Sequence, residues 1–169
     1  MWQQAMSTTT PKRARREPRI VAGLRTARAK IMASRFLRTC ERQIFGRVGR
    51  ESDRDFQLLL FELTGIQLRV KERLDEKSPG LSLANFPGPA AEFDLSQTGD
   101  FQRRAFEVFS AFDQVIVFLE SAWLHHVVSQ AEHASVICSC EGRIYETLMR
   151  VAQRCGGASV AGLLRRPGR

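Results

Sequence analysis

One stretch constrains the fold more than any other. From Phe106 to Leu124, FEVFSAFDQVIVFLESAWL, apolar residues fall on nearly every side of a helix. Phe101, Ala105, Val108 or Phe109, Phe112, Ile116, Leu119, Trp123 and Val127 keep helical spacing through it. A helix that is apolar all round must be enclosed, either by other helices or by a second copy of the chain. The sequence therefore predicts a mainly α protein. Its third helix, about Asp100 to His133 and capped by Thr98, runs through the middle of a bundle or across a homodimer interface. Glu120 cuts off the longest apolar patch, Val115 to Leu119, so no membrane-spanning helix is expected.

The rest of the chain supplies candidates to enclose that helix. Residues 1–18 are polar, basic and bounded by proline, and read as a disordered basic arm. Within the arm, Met6 offers a second possible start. From Arg19 to Arg25, Ile20, Ala22 and Leu24 alternate with Arg19, Val21, Gly23 and Arg25, which predicts a short half-buried strand. Thr26 then caps a first helix to about Phe45, with Ala33, Phe36 or Leu37, Cys40 and Ile44 inward and Gly46 and Gly49 ending it. Ser52 and Asp55 resemble a capping box at the start of a second helix. That helix reaches about Lys77, with Phe56, Leu59, Leu60, Leu63, Ile66, Val70 and Leu74 as its stripe and Ser78-Pro79-Gly80 as its stop. Residues 78–99 read as a long connecting segment whose Leu81, Leu83, Phe86, Phe93 and Leu95 pack it down over the core. A fourth helix, about Ala134 to Arg154, ends at Gly156-Gly157. The expected layout is one helical domain over 19–156 in a bundle of about four helices, with a mobile basic tail over 157–169.

Charge is partitioned along this layout. Residues 1–50 hold 13 Lys or Arg against 2 acids, residues 51–150 hold 9 against 16, and residues 151–169 hold 4 against none. The net charge of +8 thus resolves into a head of +11, a body of −7 and a tail of +4. Lys12, Arg13, Arg15, Arg16, Arg19, Arg25, Arg28, Lys30 and Arg35 form the densest basic run, and Arg38 follows. Cationic side chains displace condensed counterions from a nucleic-acid backbone, so the expected partner of the head is DNA. A strand followed by two helices also has the order of a ribbon-helix-helix unit, whose strand pairs with its copy in a dimer and enters the major groove. The alternative is a protein–protein adaptor whose acidic body docks a basic partner.

No constellation of residues names a reaction, and the chain is expected not to be an enzyme. His125, His126, His133, Cys138 and Cys140 are close in sequence, and His126 and His133 would share one helix face. Cys-x-Cys on a helix separates its thiols, however, and neither His-x3-His nor Cys-x2-Cys occurs, so no metal or cofactor is expected. The FGRVGR segment lacks the Gly-Lys-Ser/Thr ending of a phosphate loop and reads as a helix end, with a phosphate contact through Arg47 and Arg50 as the alternative. Asp53, Asp55, Glu62, Asp113 and Glu120 are not spaced for acid–base work, and Asp113 and Glu120 are expected to face outward or to pair with an arginine. Four cysteines and no secretory signal point to reduced thiols and a cytoplasmic protein. Pro11 and Pro18 break the amphipathic helix that a transit peptide needs.

Four segments of the second half carry a family resemblance: Ser110-Ala111-Phe112-Asp113-Gln114-Val115, Ala122-Trp123-Leu124-His125-His126, Glu141-Gly142-Arg143, and Leu148 to Arg154. Leu24-Arg25-Thr26-Ala27-Arg28-Ala29 adds a looser match. Together they resemble the accessory proteins of integrating conjugative elements and conjugative plasmids. Cys155 stands where that family has an aromatic residue, and the polar segment that follows there is missing. One branch of the family includes a ribbon-helix-helix activator of plasmid transfer. The resemblance implies a DNA-binding accessory or regulatory protein of a mobile element, with other conjugation proteins as further partners. It assigns no ligand or catalytic residue, and no role to His125 or His126.

Overall fold

In the computed structural model, residues 21–41, 45–80, 83 and 91–156 are described. Two short strands, β1 (Val21–Leu24) and β2 (Ala91–Asp94), accompany four helices. These are α1 (Ala27–Cys40), α2 (Arg50–Lys77), α3 (Asp100–Leu124) and α4 (Gln130–Arg154). The mainly α bundle with one short N-terminal strand is the fold expected from the sequence. The 1–18 arm and the 157–169 tail lie outside the described residues.

The enclosed helix is α3. Fourteen of its residues are buried, and its phenylalanines reach neighbours on three sides. Phe101 meets Phe36 of α1 at 5.5 Å between ring centroids and Phe56 of α2 at 6.1 Å. Phe109 meets Phe36 at 5.4 Å, and Phe106 meets Phe93 of β2 at 5.1 Å. Each tilted pair adds about 0.5–1.5 kcal/mol beyond its area burial. The bundle alternative thus accounts for the face of α3 from within one chain.

Several boundaries differ from expectation. α1 stops at Cys40, where Glu41 N–H donates to Leu37 O at 2.9 Å, so Gly46 and Gly49 do not end it. Ile44 lies outside the described residues. Gly46 N–H instead donates to Cys155 O at 2.9 Å, docking this connection on the end of α4, and Gly49 is the N-cap of α2. The capping box does not form: α2 begins at Arg50, Ser52 is buried, and Asp55 pairs with Arg154 at 2.7 Å. α3 starts after Gly99, because the Thr98 hydroxyl turns back to donate to Leu95 O at 2.8 Å.

α3 also ends nine residues before the expected His133. His126 takes a left-handed conformation with φ of 56°, and Val127 N–H donates to Ala122 O at 2.7 Å. Ser129 then caps α4 by accepting from Glu132 N–H at 3.1 Å. The apolar period continues through Val127 and Val128 because both are buried in the turn, which is why it reads as one helix.

The connecting segment contributes β2, which was not expected. It pairs antiparallel with β1, in register Val21 with Asp94 and Leu24 with Ala91. Leu24 is buried and Val21 exposed, the alternation read from the sequence. The ribbon-helix-helix expectation is corrected by this pairing. The strand takes its hydrogen bonds from β2 of its own chain, and β2 is held down by Phe93 on Phe106.

Candidate nucleic-acid interface

α1 is positioned from below and capped from the side. Ala29, Met32, Ala33, Phe36 and Cys40 form its buried stripe, at the i, i+3, i+4, i+7 spacing of an amphipathic helix. Its N-terminus is closed by a carboxylate from the core of the bundle. Asp113 on α3 is 2% exposed. It accepts Arg25 N–H at 2.9 Å on Oδ2 and Thr26 N–H at 2.7 Å on Oδ1. The Thr26 side chain accepts Ala29 N–H at 3.4 Å. Orphan donors at a helix start are thereby satisfied by a charge-assisted cap. Asp113 does not face outward or pair with an arginine side chain, as the sequence suggested, because the β1–α1 corner needs an acceptor there.

The opposite face of α1 is basic. Arg28, Ile31, Arg35 and Arg38 share it, all exposed, over about 15 Å of helix axis. No Asp or Glu lies between Ala27 and Cys40. Arg25 is exposed just before the helix. The side chains of Arg25, Arg35 and Arg38 form no ion pair with another described residue. Arg28 pairs with Glu141 of α4 at 3.0 Å, which offsets its charge. Lys30 is half-buried and lies off this face. Of the expected contact residues, the structure thus brings together Arg25, Arg28 and Arg35 and sets Lys30 apart. Lys12, Arg13, Arg15, Arg16 and Arg19 lie outside the described residues. Ile31, 52% exposed among three arginines, was missed. Projecting the helix would have found it, three residues after Arg28 and four before Arg35.

The other candidates do not assemble a centre. His126 lies in the turn after α3 and His133 in α4, so they do not share a helix face. His133 Nε2 sits 3.3 Å from Glu120 Oε1, off the hydrogen-bond line. Cys138 is exposed while Cys140 is buried, as Cys-x-Cys on a helix requires. Among the described residues no three His, Cys, Asp or Glu side chains come together as metal ligands. Burial pushes the Cys40 thiol up to about 12 and that of Cys140 to about 11, the latter helped by Glu62 and Glu141, and so keeps both protonated. Arg47 and Arg50 are exposed beside the α1–α2 connection.

A cleft of about 660 Å³ opens between the ribbon and α3, lined by Val21, Gly23, Leu95, Phe106 and Gln114. It is mostly apolar, and neither a Cys nor a His lines it. No described helix is long and apolar enough to cross a membrane. The chain matches no protein-family model, no curated protein and no solved structure.

Proposed function

We propose that this protein binds DNA through the outer face of α1 and the arginine-rich segment preceding it. The helices behind serve as the scaffold. The observation that carries this reading is the face itself: Arg28, Arg35 and Arg38 around Ile31, on a helix without a single acid. A major groove about 12 Å wide admits one helix, arginines reach phosphates or guanine edges, and an apolar side chain meets thymine methyls. Arg25 and the residues before it extend the cationic track along the backbone.

The adaptor alternative needs free acids on the body. Most of those acids already have partners within the chain. Asp53 pairs with Arg104, Asp55 with Arg150 and Arg154, Glu62 with Arg143, and Glu141 with Arg28. The DNA reading is favoured on that ground. Its setting, taken from the resemblance, is an accessory or regulatory role in a conjugative element, in the cytoplasm where DNA is met and thiols stay reduced.

The test is charge reversal on the face. Arg25→Glu, Arg35→Glu and Arg38→Glu together are expected to weaken duplex binding by at least about a hundredfold in a mobility shift, each lost phosphate contact also lowering the salt slope. Glu141→Gln, which frees Arg28, is expected to tighten binding several-fold. Unchanged affinity in the triple variant would refute the reading.

A further inference from the structure

α2 carries a second face that its own bundle leaves uncovered. Its inward stripe, Phe56, Leu59, Leu63, Val70 and Leu74, is buried. On the outward side Leu58 is 57% exposed, Phe61 80% and Leu68 52%. These are large apolar side chains on one helix, and they belong to a longer seam. Arg54, Leu58, Phe61, Gly65, Leu68, Glu72 and Asp75 follow one another in alternating steps of four and three. That is the spacing of a coiled-coil contact line.

The seam from Arg54 to Glu72 is symmetric in spacing about residue 63, midway between Phe61 and Gly65. Read backwards, Glu72 takes the place of Arg54, Leu68 that of Leu58, and Gly65 that of Phe61. Two copies related by a two-fold axis at that level, with α2 antiparallel, would set Leu58 on Leu68 of the other copy and Phe61 against Gly65. Arg54 would meet Glu72 at both ends. A parallel pairing would instead set Arg54 on Arg54 and Glu72 on Glu72. Arg54 and Glu72 make no ion pair with another described residue, so their charges are available for this.

Gly65 supplies an independent argument. A glycine inside a helix costs about 1 kcal/mol relative to alanine. Within the chain nothing requires it: an added Cβ would meet only the tip of the Arg69 side chain, at 3.6 Å, an ordinary contact. In the antiparallel pair, the missing side chain leaves a notch that receives Phe61 of the other copy.

We infer that α2 is a homodimerisation helix, pairing antiparallel with α2 of a second copy through Leu58, Phe61, Gly65 and Leu68. The interface is isologous, as a two-fold dimer requires. The sequence had suggested α3 for a dimer contact, but α3 is enclosed within the chain. This inference is independent of the DNA reading, and its test contains no nucleic acid.

Sedimentation equilibrium of the full chain tests it, with circular dichroism to confirm that each variant keeps its helices. The unaltered chain is expected to sediment as a dimer at micromolar to tens of micromolar concentration. Phe61→Glu, at an exposed position, is expected to sediment as a monomer there, and Gly65→Leu to dissociate at least about tenfold more readily. Arg54→Glu and Glu72→Arg are each expected to weaken the dimer about tenfold, and the two together to restore it. A monomeric unaltered chain, a Phe61→Glu variant that remains dimeric, or a double charge swap that fails to restore pairing would each overturn the inference.

Discussion

Asp113 shows how much one side chain does in this protein. It is a buried carboxylate on a helix whose buried residues are otherwise almost all apolar, and it faces two backbone N–H groups of the β1–α1 corner. Breaking a buried charge-assisted bond costs about 1.5–3 kcal/mol, more when donors are left without a partner. Asp113→Ala is therefore expected to lower stability by about 3 kcal/mol in urea unfolding, and Asp113→Asn by less, since one carbonyl oxygen remains. The cysteines separate just as clearly. Cys40, Cys140 and Cys155 are buried and their thiols are pushed up by burial, whereas Cys138 is exposed. A thiol reagent at pH 8 is expected to titrate one cysteine per native chain and four after denaturation. Cys138→Ser should abolish the native reaction.

At the scale of elements, the α3–α4 turn is held by Arg73 of α2. Its guanidinium donates to the Glu132 carboxylate in the first turn of α4, and Nη2 donates to Val127 O at 3.0 Å. The hydrogen bond from Arg73 holds the Glu132 carboxyl below the usual glutamate range. A depressed carboxylate stabilises the fold above its unfolded pKa, and this contribution is lost as pH falls through the folded value. The stability difference between the unaltered chain and Glu132→Gln is thus expected to be present at neutral pH. It should disappear below the ordinary glutamate range. Both partners are about two-fifths exposed, so the effect is under about 1 kcal/mol.

Helix existence was legible because apolar periodicity is strong in all four elements; helix ends were not. The α3–α4 break depends on His126 turning left-handed, and Val127 and Val128 hide it by keeping the hydrophobic period. β2 was hidden because AEFD has no strand pattern beyond Phe93, and its partner lies some 70 residues earlier. At the candidate site the arginines were visible as composition. Which of them face outward required knowing that Ala29, Met32 and Phe36 point inward and that Glu141 reaches Arg28.

For the whole molecule, the charge partition takes spatial form. In the body, arginines cross-link acids between helices: Arg104 to Asp53, Arg143 to Glu62, Arg150 and Arg154 to Asp55. Exposed pairs of this kind add little stability, and the body keeps a net charge of −7, part of it on Glu72 and Asp75 of α2. Arg35 and Arg38 on α1 and Arg25 just before it are without ion-pair partners among the described residues, at the end of the chain that holds the excess charge. Two such faces would be carried by the dimer formed through α2. The most direct measurement is the affinity of the full chain for duplex DNA across a salt series. Tight binding is expected at low salt, with log affinity falling linearly against log salt at a slope of about −0.9 per phosphate neutralised, and a clearly shallower slope in the Arg25, Arg35, Arg38 triple reversal. No binding at low salt, or a slope unchanged by the triple reversal, would contradict the DNA reading.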